Sequence, residues 1–432
     1  MSRRFRAPTG NGEILADPPF AAVGESVRRN RELLDNADVV IDGSRLREFR
    51  RLTRSELLSH SLLGSPWPEQ DRFLIATGHQ PELFHPGVWA KNFAACGLAR
   101  RLNAIPLNLI VDNDTMKSAH ILAPVWDADP AKVRLEKVPF DDFAGELPWE
   151  MTKWAAEFSA RRIEAERRWG CENRELTVSA LSQFTTFRRF ASHIVANLPQ
   201  FRTSYNRAVA EYRTVHGIKS KSHPVPDLGE DELPFWEFTA TGRIRATPAT
   251  PPERRRPRAL TLTLFVRLCL ADWFIHGIGG GKYDEVTDAI LSDFFGLEPP
   301  AFQVVTGTLY LPTQGFPGTK DDVAVLELKL RRLYWNPEYF LPNDHPSRLE
   351  KWRLTAEKPN GRTAVRRWFA RLRELNAEMR LTVTDQVVEV ERDLAIARAE
   401  VAANAILRRR DFAWVLYPED TLRPFLQQFL NV

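Results

Sequence analysis

The stretch TGHQPELFHPGVWAKN, Thr77–Asn92, places two histidines, a glutamine and a lysine around a Pro-Gly turn that leads into a helical pattern. A strand that ends at Thr77-Gly78 brings His79 and Gln80 to its tip, and His85 stands just before the helix. Backbone N–H groups at such a helix start suit an anion, phosphate above all. A histidine there can bond a phosphate or bridging oxygen and stabilise charge that develops on it. Lys91, one and a half turns into the helix, adds positive charge. The competing reading is a plain strand-to-helix turn whose histidines are incidental.

A second cluster follows in VDNDTMKSAH, Val111–His120. Asp112 and Asp114 stand at i and i+2 after an apolar run, with Asn113 between them and His120 beyond. Such a pair can hold a divalent cation or a sugar hydroxyl, and with His79 it would make a mixed His/Asp set. No HExxH or comparable spacing accompanies it, so no metal is firmly implied. Polar contacts to a substrate amine or hydroxyl are the preferred reading, with a capped loop as the alternative.

The third candidate is HGIGGGKYDEV, His276–Val286. Gly279, Gly280 and Gly281 would let a backbone approach a ligand closely, and Lys282 would neutralise a phosphate or carboxylate. Tyr283 and Glu285 complete the segment, and Asp284 and Glu285 are expected in the first turn of a helix, where acids suit the dipole. The spacing is neither that of a Walker A loop nor GxGxxG. A simple glycine turn before a helix is the alternative; otherwise the segment forms one wall of a cleft, with the histidine loop nearer the chemistry.

These segments need a frame. RFLIATG, GVWAKNFAACGLARRL and AIPLNLIVDND read as strand, helix and strand, a βαβ unit that implies a parallel sheet. Ligands bind such sheets at the carboxyl ends of the strands. ALTLTLF, the glycine segment and FQVVTGTLYLP are expected to resume that sheet. Residues 1–70 read as an N-terminal helical segment, with helices around Phe20–Leu34 and Ser44–Leu63. Residues 71–345 form the core, with a helical insertion at about 148–235. TGRIRATPATPPERRRPR is a loop or hairpin with a basic tip, or a solvated linker. From Trp368 to Val401 apolar residues recur at alternating steps of three and four, a coiled-coil seam on one long helix within 346–410. That seam needs an intramolecular helical partner or a second subunit, and a homodimer is the expectation. The aromatic tail, 411–432, is expected to be ordered.

With 432 residues, 27% of them charged and 43% hydrophobic, the chain has the composition of a soluble globular protein. A net charge of +4, from 60 basic and 56 acidic residues, gives no ground for nucleic-acid binding. No apolar run is long enough to span a membrane, so neither a membrane nor a nucleic acid is expected as partner. Cys96, Cys171 and Cys269 form no CxxC pair. That spacing argues against a disulfide framework and for a reducing cytoplasm, with Cys96 and Cys269 packed in the core.

His85-Pro86-Gly87-Val88 resembles half of the HIGH signature of nucleotidyl-transferring Rossmann-like domains, with Val88 at the second histidine. On a longer scale, ATGHQPELFHPGVWAKNFAACGLARRL resembles the early segment of the cysteine-adding enzymes of bacillithiol biosynthesis. Thr77, Gly78, Gln80, Gly87 and Lys91 match that family's positions, and His79 replaces a glutamine. VDND stands at the family's E-D-H-D motif. Gly279, Gly280 and Glu285 are nearest its G-G-P-x-E-I-x-Y segment, with Tyr283 before the acid instead of after it. The resemblance implies an α/β, Rossmann-like parallel-sheet core with a helical insertion and a dimerising coiled coil. It implies a ligase that joins the carboxyl group of cysteine to the amine of glucosaminyl-malate, with ATP or ADP as the possible nucleotide. Two rival readings stand beside it: a metal-dependent hydrolase on His79, Asp112, Asp114 and His120, and a non-catalytic coiled-coil scaffold.

Overall fold

The computed structural model describes residues 5–60, 71–142 and 147–432. The chain opens with β1 (Ile14–Asp17), α1 (Val23–Asn36), the small hairpin β2 (Val40–Ile41) and β3 (Ser44–Arg45), and α2 (Leu46–Ser59). Both expected helices are present; positions 61–63 of the second lie outside the described residues. α1 buries Val23, Val27 and Leu34, the spacing of one helical face.

The βαβ unit forms as β4 (Leu74–His79), α3 (Pro86–Arg101) and β5 (Ile105–Ile110), with β4 and β5 parallel and His79 opposite Ile110. β6 (His120–Val125) and β7 (Arg134–Pro139) make a two-stranded sheet. After α4 (Trp154–Arg168) comes β8 (Arg174–Thr177), followed by α5 (Val178–Leu181), α6 (Thr185–Ala196) and α7 (Leu198–Val215). β9 (Phe235–Thr239), β10 (Gly242–Arg245) and β11 (Arg255–Pro257) form a three-stranded sheet. α8 (Ala259–Phe265), β12 (Trp273–His276), α9 (Ile278–Phe294) and β13 (Gln303–Gly307) complete the core.

The main sheet runs β1-β13-β12-β4-β5-β8. Five strands are parallel, and β1 is antiparallel at the edge. In chain order the parallel strands lie third, second, first, fourth, fifth, which is the doubly wound, Rossmann-like arrangement. The protein is therefore α/β with a parallel-sheet core. β4 and β5 read as apolar runs because helices cover both faces of a parallel sheet. α3 is buried on nearly every side. A Cβ on Gly97 would lie 2.6 Å from the Phe429 carbonyl, so α14 (Glu419–Leu430) crosses α3 there. The aromatic tail is ordered, as expected, with Phe425 and Phe429 buried.

Several expectations need correction. ALTLTLF is a helix that runs on into the π-helical turn Val266–Leu270, not a strand. An all-apolar run has the same appearance in a buried helix and a buried strand. Its threonines bond the Pro234 and Ala259 carbonyls, which spares the core unpaired hydroxyls. The stretch read as a helical insertion contributes β8 to the main sheet. The basic segment is β10, β11 and their connection, with Arg255 and Arg258 buried, and so is not a solvated linker. Cys96 and Cys171 are joined as a disulfide between α3 and the approach to β8, 75 positions apart. That distance hides the pairing from any reading of spacing.

The contacts divide the chain into two compact units. The first holds residues 1–122, 137–311 and 410–432, and so the whole main sheet and α14. The second holds 123–136 and 312–409. It comprises α10 (Lys320–Trp335), α11 (Pro346–Ala356), α12 (Arg362–Thr382) and α13 (Thr384–Leu407). The long helix is broken at Val383, where Thr384 Oγ1 bonds the Arg380 carbonyl at 3.1 Å and the backbone leaves the helical region. Leu375, Met379, Val383 and Val390 of the seam pack with Leu333 and Leu341 of the same unit. The intramolecular partner is thus present in α10 and the turn after it. No described helix is long and apolar enough to cross a membrane.

Candidate active site

Strand order reverses between β4 and β12, and a crevice outside their carboxyl ends is where a doubly wound sheet takes its ligand. Thr77 pairs with Ile275, so Gly78–His79 and His276–Gly277 emerge side by side there. Thr77 itself stays inside the sheet, its hydroxyl bonded to the Ile275 carbonyl at 2.9 Å.

Lys91 reaches this point from α3. Its Nζ donates to the Gly78 carbonyl at 2.7 Å. The side chain is buried, and among the described residues no carboxylate pairs with it. Burial pulls its ammonium down to about 8. A Cβ on Gly277 would touch Lys91 Cδ at 3.9 Å, so lysine and glycine meet at the carboxyl ends of the two strands.

The three glycines are the first turn of α9, not a loop before it: the helix starts at Ile278 with Gly277 as its cap. Asp284 and Glu285 therefore fall in the second turn. Gly280 and Gly281 are small for packing reasons, because a Cβ would meet His276 Nδ1 at 2.7 Å or Val304 Cγ2 at 2.4 Å. Gly279 has nothing within 4 Å of the position a Cβ would take. Asp284 turns inward to His276 Nε2 at 2.8 Å and to Arg267 at 2.5 Å. Burial works against the Asp284 carboxylate, but Arg267 and His276 hold it below its usual range. Burial likewise keeps His276 neutral, opposed by Asp284. Glu285 bonds His216 at 2.8 Å, and Tyr283 packs edge-on to His223. Lys282 is partly exposed.

The histidine loop opens on a cavity of about 550 Å³, lined by His79, Glu82, His85, Lys117, His120 and Lys137 among others. His85 caps α3, its Nδ1 accepting from the Gly87 N–H at 3.1 Å, so the ring proton sits on Nε2. His79 Nδ1 lies 3.2 Å from the Gln80 carbonyl, a bond that requires the proton on Nδ1 and leaves Nε2 as acceptor. Burial depresses both rings, with Lys91 adding to the effect at His79 and Arg410 at His85, which falls to about 4. Two neutral imidazoles of opposite hydrogen-bonding sense thus face one cavity.

Gln80 lies on another side, in a cavity of about 230 Å³ with Asn113, Asp114, Tyr205, Trp236 and Arg243. Gln80 Nε2 donates to Asp114 at 2.7 Å, and Arg243 binds the same carboxylate at 2.8 Å. The Arg243 guanidinium also lies 4.4 Å from the Trp236 ring centre. Burial raises Asp114, but Gln80 and Arg243 outweigh it and the carboxylate stays ionised. Asn113 Nδ2 is taken by the Pro257 carbonyl at 2.7 Å.

Asp112 turns away from its neighbour and caps α5, accepting from the Ser179 N–H at 2.9 Å and from its hydroxyl. Asp112 and Asp114 thus have separate partners, and no metal-ligating group of three His, Cys, Asp or Glu residues exists among the described residues. The hydrolase reading loses its geometric basis.

Sequence reasoning missed His276, Arg243 and Glu150, and gave Asp284 only the role of a helix-dipole acid. His276 stood in the quoted glycine segment, and Arg243 in the basic one, but neither carries a motif. Glu150 sits beside Asp112, and burial, opposed by Arg256, lifts its carboxyl to about 7. Nothing in the sequence signals it.

No protein-family model matches the chain, and no curated protein does. Among solved structures the chain is similar to a Plasmodium falciparum tryptophanyl-tRNA synthetase, with 11% identity, 89% of this chain and 95% of that chain covered, and a TM-score of 0.27. A product-bound parasite tRNA synthetase gives 11% identity, 83% and 84% coverage and a TM-score of 0.27. The ligand-free form gives 12%, 83% and 83%, and 0.26. Scores this low carry no inference about fold or activity.

Proposed function

We propose that the protein is an enzyme that binds a nucleotide at the carboxyl edge of β4 and β12 and forms a carbon–nitrogen bond. The observation that supports this best is the Lys91 ammonium, buried at the strand-order reversal with no carboxylate partner among the described residues. An unpaired buried cation is costly, and an anionic ligand would offset that cost. The first turn of α9 offers backbone N–H groups to the same anion, and Gly279 leaves room above them. ATP, when bound, supplies the activation of a carboxyl group. The chain's own residues then position the reactants. His85 donates from Nε2 and His79 accepts at Nε2, so one holds an oxygen and the other orients an N–H or O–H of the attacking group. Lys91 stabilises negative charge that develops at the crevice, with no covalent enzyme intermediate. Asp114, kept ionised, is placed to hold a substrate amine or hydroxyl from the second cavity. Cysteine and an amino sugar of the glucosaminyl-malate type are the substrates suggested by the motif resemblance.

Calorimetric titration with ATP and ADP, with and without magnesium, tests the nucleotide site. Micromolar binding that is lost in Lys91→Met supports it and justifies assays with cysteine and amino sugars. No binding of either nucleotide, or binding unchanged in that variant, overturns it.

A further inference from the structure

At the opposite, amino end of the sheet, α2 sets Arg47, Arg50, Arg51 and Arg54 on one face, at steps of three, one and three. They line a pocket of about 160 Å³ with Arg31, Asp35 and Asp71. Beneath it lies Asp272, fully buried just before β12. Arg31, Arg50 and Arg54 all bind its carboxylate, at 2.7, 2.8 and 2.7 Å. The Leu74 N–H adds a fourth contact at 2.8 Å. One carboxylate is thus shared by three guanidiniums, and the oxygens have little capacity left.

Arg47 and Arg51, on the exposed rim, make no ion pair among the described residues. Among the described residues around the pocket five guanidiniums face three carboxylates, an excess of two positive charges in a partly desolvated space. Burial above all, with the neighbouring Arg54 adding to it, pulls Arg50 down to about 10. A fold that holds such an excess is relieved by a dianion, and planar guanidinium forks match its oxygens.

We propose that this pocket binds a phosphate-sized dianion, either free phosphate or the phosphoryl group of a larger ligand. It is separate from the crevice at Gly78 and Gly277, which lies at the other end of the same strands. A ligand here would brace α1 and α2 against the starts of β4 and β12.

The test uses the full chain in chloride buffer at fixed ionic strength. Inorganic phosphate and phenyl phosphate are titrated in turn, followed by melting temperature and calorimetry. The expected result is a saturable rise in melting temperature with phosphate. Arg47→Ala/Arg51→Ala should melt as high as the parent or higher in chloride alone, because repulsion falls, and should lose the phosphate response. Arg51→Gln alone should weaken binding severalfold. Phenyl phosphate that binds as tightly as phosphate identifies the phosphoryl group of a larger ligand; binding of phosphate alone identifies the free ion. A melting temperature that tracks only ionic strength overturns the site. So does a phosphate response that persists in the double variant.

Discussion

Lys91 Nζ donates to the carbonyl of Gly78, thirteen residues earlier, at 2.7 Å, and closes the β4–α3 connection over the sheet's strand-order reversal. That bond gives the ammonium a dipole but no counter-charge. A group whose folded-state value lies below its unfolded value disfavours folding while it is protonated in the unfolded chain. For Lys91 the penalty is present below pH 8 and is relieved as pH rises from 8 towards 10.5. The shift is worth about 3 kcal/mol, against which loss of the Gly78 bond counts about 1 kcal/mol. Lys91→Met should therefore gain stability at pH 7 while losing ligand affinity. Urea unfolding at pH 7 and pH 10 checks this: the gain should shrink at the higher pH. A variant less stable than the parent at pH 7 would mean that the lysine is a structural tie.

His85 joins two duties, helix cap and cavity wall. Its folded-state value lies near 4, below that of a free histidine, so the unfolded chain binds its proton first as pH falls. Stability from this group is complete above about pH 6.5 and is lost between 6.5 and 4. His85→Asn keeps a capping side chain and removes the titration. It should flatten the acid limb of the stability curve by about 3 kcal/mol at pH 4. His85→Ala should in addition cost about 1 kcal/mol at neutral pH through the lost cap. Melting temperatures from pH 4 to 8 separate the two effects.

The buried trio of Arg267, Asp284 and His276 fixes the base of α9. Asp284→Asn leaves Arg267 with Asp288 as its remaining carboxylate, at 2.7 Å, and should cost about 3 kcal/mol. His276→Asn should cost less, because a neutral ring is replaced by a neutral amide. Denaturant midpoints with an unchanged slope would show that both act on the native state. An Asp284→Asn protein as stable as the parent would mean that the network contributes little.

Much of this frame was legible from residue pattern. β4, α3 and β5 announce themselves because Leu74–Gly78 and Ile105–Ile110 are apolar runs that stop at Gly and Asp, with a helical pattern between. The second half of the sheet was harder. ALTLTLF has no period that separates helix from strand, and β8 is only four residues long, in a helix-rich stretch. The Cys96–Cys171 bond depends on α3 and β8 being neighbours, which spacing cannot show. At the site, His79, His85 and Gln80 were visible because they cluster at a strand end. Arg243 was not, because its tie to Asp114 spans 129 positions and depends on the β9–β10 hairpin meeting the turn after β5. Asp112 and Asp114 looked like a pair in sequence. A strand's end sends alternate side chains to opposite faces only while the strand lasts, and beyond Ile110 each aspartate finds its own partner.

The glycines of α9 should behave differently from one another, although the sequence presents them as one run. Gly281→Ala would drive a Cβ to 2.4 Å from Val304 Cγ2 and 3.4 Å from Phe5, both in packed surroundings. It should cost about 1–3 kcal/mol. Gly279→Ala meets nothing and replaces a poor helix former, so the fold should gain up to about 1 kcal/mol. If the first turn of α9 holds an anion beside Lys91, the same methyl group stands where the ligand approaches, and affinity should fall at least tenfold. Opposite signs for stability and affinity in Gly279→Ala are the signature of a ligand site. Melting temperature and nucleotide titration of the one variant decide it: a gain in both places the ligand elsewhere, and the glycine turn is then only a compact start to a helix.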